Sequence, residues 1–327
     1  MEMHDPNNDI KDDALTHFLT RTHLQARIFM HRSYCKEWAI DIAGTGQVPF
    51  YLVDNGQAWI HMEGMEPRLI QAGDLVMFPH DSHHVLANSR KPQDRENINQ
   101  PQDCVKQENL TSVLCGFYEF ESDAAQLLLN DMPDIVQLSD ARNNPTTDGI
   151  AHVLDTILIE LKNNNPGRNI ALRDLARLLL LHLLRNCFSA NLSQGYLKAL
   201  ITPQIGHALQ LIHTRFTEEW TLDELARTIG MSRTAFAQKF HEYVGIPPAK
   251  YLTSWRMQEA TNLLKNTTLS IEKIAEKCGY QSAASFRKAY KSHTGNTPRH
   301  IRNKSRDSFI SRARRKILSS GAPPSNQ

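Results

Sequence analysis

TLDELARTIGMSRTAFAQKFHEYVG, Thr221 to Gly245, and SIEKIAEKCGYQSAASFRKAYKSHTG, Ser270 to Gly295, are one pattern written twice. Thr221 aligns with Ser270, Leu225-Ala226 with Ile274-Ala275, and Gly230 with Gly279, each at an offset of 49. After one inserted residue the offset is 50, pairing Phe236 with Phe286, Phe240 with Tyr290, Gly245 with Gly295 and Pro248 with Pro298. Two copies are too few for a solenoid, so the repeat reads as a small module used twice.

Each copy carries the same local instructions. Thr221 or Ser270 is a helix N-cap, and Glu224 completes a capping box in the first copy. Apolar residues follow at helical spacing: Leu222, Leu225, Ala226 and Ile229, then Ile271, Ile274, Ala275 and Cys278. Gly230 or Gly279 ends the helix where a left-handed residue is cheap. A second helix starts within a few residues and buries Phe236 and Phe240, or Phe286 and Tyr290, one turn apart. Short helix, glycine turn and second helix make a helix-turn-helix, in which the first helix braces and the second enters the major groove.

From Pro203 to Arg302 the chain resembles the DNA-binding domain of AraC/XylS transcription regulators. GIPPAKYLTSWRMQEATNLL resembles that family's connecting helix, and GYQSAASFRKAYKSHTGNTPRHIR its C-terminal signature. The resemblance implies base-facing positions at Arg233, Thr234, Ala237 and Gln238 in the first copy, and at Ala283, Ala284, Arg287 and Lys288 in the second. Arginine and lysine reach guanine, glutamine pairs with adenine, and alanine meets a thymine methyl. Ser232, Lys239, Ser282 and Lys291 flank them as phosphate anchors. Because the two sets of readers differ, one subunit should read an asymmetric site. Many family members carry a large aromatic residue where Thr234 stands, so no base preference is carried over. A connecting helix over Pro248 to Leu264 is expected to set the two recognition helices about one DNA turn, ~34 Å, apart.

Charge supports this reading. From Leu197 onward the chain has 21 Lys and Arg against 9 Asp and Glu, whereas the 327-residue whole carries only +2. A basic C-terminal third on an acidic body is the footprint of a polyanion-binding domain attached to something else. The start, MEMHDPNNDIKDD, resembles no targeting peptide, and Leu178 to Leu184 is too short to span a bilayer. A cytoplasmic protein without membrane contact is expected. Five widely spaced cysteines (Cys35, Cys104, Cys115, Cys187, Cys278) form neither a disulfide framework nor a zinc pattern, so reduced thiols are the default.

The N-terminal part alternates short strands with turns. Asp13 to Leu19 reads as a short helix, Phe50 to Val53 as a buried strand, Asp54-Asn55-Gly56 as a hairpin turn, and Gln57 to Met62 as an alternating strand with Ala58, Ile60 and Met62 on one face and Trp59 and His61 on the other. Thr111 to Glu121 resumes the sheet after a polar insertion, Ser89 to Asn109. Turn signals every 8 to 12 residues predict an antiparallel sandwich or barrel. AGDLVMFPHDSHHVLAN resembles the second conserved stretch of cupin barrels, with Asp81 in place of a glycine. The first stretch, which brings two histidines and a glutamate, is not matched around His61, so His61, His80, His83 and His84 are not expected to hold a metal. The arrangement fits the AraC-type cupin that senses effectors in that family.

Two helices follow, Ile150 to Asn164 and Ile170 to Phe188. The second places Leu172, Leu175, Leu179, His182 and Leu183 on one stripe, extended by Leu178, Leu181 and Leu184, so it is apolar on more than one face. The resemblance favours sharing that helix with a second subunit, with Leu179 and Leu183 at the exposed side. The expected organisation is therefore two-domain: an N-terminal all-β cupin-like barrel with added α-helices (1–190; barrel about 26–121, helices about 148–188), a linker (191–202), a C-terminal all-α domain with two helix-turn-helix motifs (203–302), and a basic tail (303–327).

The function these expectations describe is a sequence-specific regulator of transcription, an activator by family habit. It would be controlled by an effector or stress signal and bind promoter DNA as a homodimer. RNA polymerase and a small-molecule effector are further partners. No catalytic constellation, metal or cofactor is expected. Two alternatives stay open: a cupin enzyme carrying a DNA-binding module, and a thiol-based redox-sensing regulator with Cys35 and Cys115 as the pair.

Overall fold

The computed structural model describes residues 13–22, 24–42, 44–91, 110–120, 124–141, 148–163, 165–189 and 195–304. Most of the polar insertion with Cys104, the start of the expected linker and nearly all of the basic tail lie outside the described residues. The chain divides into two compact units, one of Thr22–Ile201 and the other of the residues up to Arg21 together with Thr202 onward.

The first unit is a two-sheet barrel. Strands β1 (Gln25–Tyr34), β2 (Ala39–Ile42), β3 (Val48–Asn55), β4 (Gln57–His61), β5 (Arg68–Gln71), β6 (Leu75–Met77), β7 (His84–Ala87), β8 (Thr111–Glu119) and β9 (Val136–Leu138) sort into two antiparallel sheets. One has the order β1-β8-β3-β6-β9, the other β2-β7-β4-β5. The hairpin expected at Asp54-Asn55-Gly56 joins β3 to β4, and Gly56 takes φ +75° with its α-carbon against the carbonyl of Leu110. A side chain there would collide with that carbonyl, which only glycine avoids. In β4, Ala58 and Ile60 are buried while Trp59 and His61 are partly exposed, as the alternation predicts. Asp81 holds φ +51° and accepts hydrogen bonds from Gly46 N (2.6 Å) and Thr45 Oγ1 (3.1 Å), so it keeps the left-handed turn that a glycine supplies in the resembled motif.

Strand β8 is buried on both faces because helix α4 (Arg168–Ser189) packs on the same sheet, against β1, and pairs with α3 (Asp148–Lys162). This corrects the expectation for the leucine stripe. Leu179 and Leu183 are fully buried within one chain, together with Leu172, Leu180 and Leu184. Among the described residues, the large apolar side chains that α3 and α4 leave exposed are Ile159, Ile170 and Leu178. His182 is half-buried where α3 starts, at Gly149, whose missing side chain makes room for the imidazole. Helix α2 (Ala124–Leu129), β9 and helix α5 (Gly195–Ile201) have no counterpart in the sequence reading, and α5 occupies much of the expected linker.

The second unit is helical. Helix α1 (Ala14–Arg21) packs on α6 (Pro203–Thr214) and buries Phe18 completely, its ring 6.3 Å from both His213 and Trp255. Gln258 donates to the carbonyl of Arg21 (3.2 Å), and the Arg21 guanidinium pairs with the buried Glu259. The segment expected to open the sensing domain is thus part of the helical unit. The remaining helices are α7 (Leu222–Thr228), α8 (Arg233–Val244), α9 (Pro248–Asn266), α10 (Ile271–Lys277) and α11 (Ala283–Thr294), with residues 298–304 also helical.

Candidate nucleic-acid interface

The repeat is structural as well as sequential. Thr221 and Glu224 close a capping box on α7, while Ser270 caps α10 through its hydroxyl alone. Past the first helix of each copy the same two backbone bonds form: Met231 N to Ala226 O (2.9 Å) with Gly230 N to Arg227 O (3.2 Å), then Tyr280 N to Ala275 O (2.9 Å) with Gly279 N to Glu276 O (3.0 Å). These close the helix ends around Gly230 (φ +70°) and Gly279 (φ +76°). Both recognition helices, α8 and α11, end on left-handed glycines, Gly245 and Gly295.

Helix α9 serves both modules. Its N-terminal half places Tyr251 and Trp255 in the first core, with Phe240 and Tyr251 edge to face at 5.7 Å. Its C-terminal half packs Met257, Ala260 and Leu264 on Ile274, Ala275, Cys278, Phe286 and Tyr290. Arg256, between the halves, donates from Nε to the carbonyl of Phe216 (2.6 Å) and from an Nη to that of Glu218 (2.7 Å), and lies 5.7 Å from the Tyr280 ring centre. The extra residue of the second copy falls in its turn, where Gln281 donates to Glu219 (2.6 Å). Gly279 sits so close to Thr217 that a side chain would strike its backbone. Bracing of this kind fixes one module against the other. The sequence marks Arg256 only as a charged residue on a largely buried helix.

Of the readers and anchors expected, Ser232, Arg233, Thr234, Gln238, Ser282, Ala284, Arg287, Lys288 and Lys291 are exposed, and Ala237, Lys239 and Ala283 are half-exposed. Phe236, Phe240, Phe286 and Tyr290 are buried beneath them. Ser232 and Ser282 are the N-caps of the recognition helices, accepting from Ala235 N (3.3 Å) and Ser285 N (3.1 Å). Their hydroxyls are already engaged with the helix end, a role the sequence reading did not assign them. The side chains of Gln238, Lys239, Lys288 and Lys291 form no hydrogen bond or ion pair among the described residues. Arg233 and Arg287 do: Arg233 Nη1 lies 3.1 Å from Asp223 Oδ2, and Arg287 Nη2 2.9 Å from Glu272 Oε1.

The barrel holds a second candidate site, a cavity of about 310 Å³ between the sheets, lined by Met30, Tyr34, Ile40, Tyr51, Leu86 and Cys115 among others. Its buried titratable groups, Tyr51 and Cys115, are held in their uncharged forms, and Arg32 is the charged side chain in its lining. Burial raises the Tyr51 phenol and pushes the Cys115 thiol up to about 12. The Tyr51 hydroxyl meets His84 Nε2 (3.1 Å), and burial lowers that imidazole's pKa. The four histidines weighed as metal ligands go separate ways: His61 to Ser89 O, His80 to Met132 O, His83 to Asp41, and His84 to Ser82 O as well as Tyr51. Among the described residues no three His, Cys, Asp or Glu side chains gather as a metal site. Cys115, Cys187 and Cys278 are free and buried, whereas Cys35 is disulfide-bonded. Reduced thiols throughout, and a Cys35–Cys115 pair, are therefore both corrected. Cys115 lies in the apolar core between the sheets and carries a free thiol. No helix among the described residues is long and apolar enough to cross a membrane.

A cupin unit and two tandem helix-turn-helix modules with exposed polar side chains on their second helices define a DNA-binding regulator. Residues 13–189 match the family described as Cupin, and 225–304 match the family described as Helix-turn-helix domain. The HTH-type transcriptional regulator AlkR of Acinetobacter baylyi is 26% identical over 305 residues, covering 90% of this chain and all of that protein. The RCS-specific HTH-type transcriptional activator RclR of Escherichia coli is 24% identical over 298 residues, 90% of this chain and 98% of that one. A solved AraC-type DNA-binding transcriptional regulator from Chromobacterium violaceum is 32% identical across 32% of this chain and 92% of its own, with a TM-score of 0.30. The chain belongs to the AraC/XylS family of transcription regulators, in the form that carries an N-terminal cupin domain.

Proposed function

We propose that the chain is a transcription activator that reads an asymmetric promoter site with both recognition helices and is controlled through its cupin unit. The observation that carries the reading is the pair of recognition helices on one shared connecting helix, each with its polar side chains outward. Nineteen residues of α9 span about 28 Å at ~1.5 Å per residue, close to the repeat of the DNA major groove. The base readers are Arg233, Thr234, Ala237 and Gln238 with Ala283, Ala284, Arg287 and Lys288; Lys239 and Lys291 contact phosphate. The effector enters the cavity between the sheets. Two subunits meet through the outer faces of α3 and α4, and the bound dimer recruits RNA polymerase in the cytoplasm. Selecting duplexes from a random pool with the purified chain and footprinting the winners tests the core of this. Two protected major-groove segments of unlike sequence, one turn apart, are expected for each subunit. Protection of a single segment would remove the two-helix reading.

The disulfide at Cys35 favours a second mode of control. Disulfides in a reducing compartment are usually redox sensors and not staples. A reporter driven by the footprinted site, assayed in cells treated with a thiol oxidant, should respond to wild type and not to Cys35→Ser. An equal response in both excludes this control.

A further inference from the structure

The two arginine ion pairs of the recognition helices share a feature that surface chance does not supply. Asp223 and Glu272 occupy the same position of the repeat, 49 residues apart, as the second residue of α7 and of α10. Their arginines do not correspond. Arg233 is the first residue of α8, whereas Arg287 is the fifth of α11 and aligns with Ala237, one helical turn later. The acid stays in place while the arginine moves, and the contact is made both times, at 3.1 and 2.9 Å.

Helix capping does not account for this. An acid in the first turn suits the helix dipole at any of the early positions. Yet the acid of the capping box, Glu224, is replaced in the second copy by Lys273, while the one that meets an arginine is present in both. Nor does stability account for it. All four side chains are more than half exposed, and ion pairs of that kind contribute little to folding. A carboxylate beside a DNA-binding surface also repels phosphate, so its presence there needs a return in specificity.

Guanidinium geometry supplies the return. Arginine has five N–H donors in a rigid plane, and each carboxylate here engages one terminal nitrogen. The donors left over suffice for a two-pronged contact with guanine O6 and N7. A long side chain otherwise free to rotate is thereby held in few orientations before DNA arrives, which lowers the entropy lost on binding.

We propose that Asp223 and Glu272 are positioning residues for sequence reading, holding Arg233 and Arg287 so that their remaining donors meet base edges, and penalising sites where no base repays the contact. This rests on the proposed reading of α8 and α11 as base readers. The test uses the full chain and the duplex it selects from a random pool, with a scrambled duplex as reference. The readout is the ratio of the two dissociation constants at fixed salt, for wild type, Glu272→Gln, Arg287→Ala and the double variant. Glu272→Gln is expected to tighten scrambled DNA and to lower the ratio roughly three- to tenfold, a part of what one bidentate base contact supplies. Once Arg287→Ala is present, adding Glu272→Gln should leave the ratio where it is. A ratio unmoved or raised by Glu272→Gln overturns the proposal, as does an equal fall in the Arg287→Ala background. If Arg287→Ala itself leaves the ratio unchanged, it is the base-reading assignment of α11 that fails. Asp223→Asn with Arg233→Ala repeats the cycle in the first module, with the same outcomes deciding it, should either second-module variant prove unstable.

Discussion

At the scale of the residue, neighbouring positions on one recognition helix are set to do different things. Arg287 is exposed on α11, with Phe286 and Tyr290 buried on the helix's other side, and Lys291 follows one turn later. Replacing Arg287 by alanine should cost about 1–3 kcal/mol on the selected site and relax choice at one base pair. Replacing Lys291 should weaken all sequences alike and lower the salt slope by about one unit. A salt titration of both variants on selected and scrambled duplexes reads this. Equal losses for Arg287→Ala on both duplexes would make it a phosphate contact. His213 supplies a second residue-scale expectation. Its ring stacks on Trp255 at 3.9 Å, its Nε2 meets the Tyr251 hydroxyl at 2.8 Å, and burial, with smaller effects from His17 and Arg21, lowers its pKa to about 3. The unfolded chain takes up a proton near pH 6.5 that the folded chain refuses. The contribution is therefore complete above about 6.5 and is lost as pH falls toward 3, at up to ~1.4 kcal/mol per pH unit. Denaturant melts between pH 7.5 and 5 should show this slope, and His213→Gln should flatten it. An unchanged slope in the variant would place the titration elsewhere.

At the scale of the element, α4 illustrates why an apolar stripe does not reveal what covers it. Periodicity identifies the buried faces of a helix, but not whether the cover comes from its own chain. Here the sheet and α3 bury Leu179 and Leu183, and the large apolar side chains left exposed, among the described residues, are Leu178 and Ile170 on α4 and Ile159 on α3. Leu179→Asp should therefore unfold the cupin unit, since an unpaired buried charge costs several kcal/mol. Leu178→Asp with Ile159→Asp should leave it folded and shift it from dimer to monomer. Analytical ultracentrifugation at tens of micromolar decides between them, and a double variant still dimeric there would move the interface away from these helices. The short helices of the repeat were more legible. Their limits are set by local chemistry, caps and left-handed glycines, which the sequence states directly.

At the scale of the whole molecule, the chain enters the helical unit twice, through α1 and again from Thr202. A fragment beginning at Gly195 carries both helix-turn-helix modules and should bind DNA, but it lacks Phe18 and so uncovers Trp255 and His213. Burying one phenylalanine is worth about 2 kcal/mol, less the entropy of ordering the helix. The fragment should melt below a version with residues 13–21 fused to it. A peptide of those residues should bind the fragment and change its tryptophan fluorescence. Equal melting points and no fluorescence change would show that α1 is not part of that core.

The sequence by itself determined the elements whose cause lies within a few residues: the doubled helix-turn-helix, its caps, the β3–β4 hairpin and the alternation of β4. It also marked the outward side chains of the recognition helices, because a helix with Phe236 and Phe240 inward leaves only one face for reading. What only the tertiary structure decided depends on residues far apart in the chain. Phe18 finds its seat beside His213 on a helix nearly two hundred residues away, and Arg256 latches a loop forty residues back. Leu179 is covered by its own sheet, and Arg233 and Arg287 reach acids on a preceding helix. Apolar spacing and charge specify that a side chain needs a partner. Which partner it receives is set by the packing of whole elements, and a single sequence does not encode that locally.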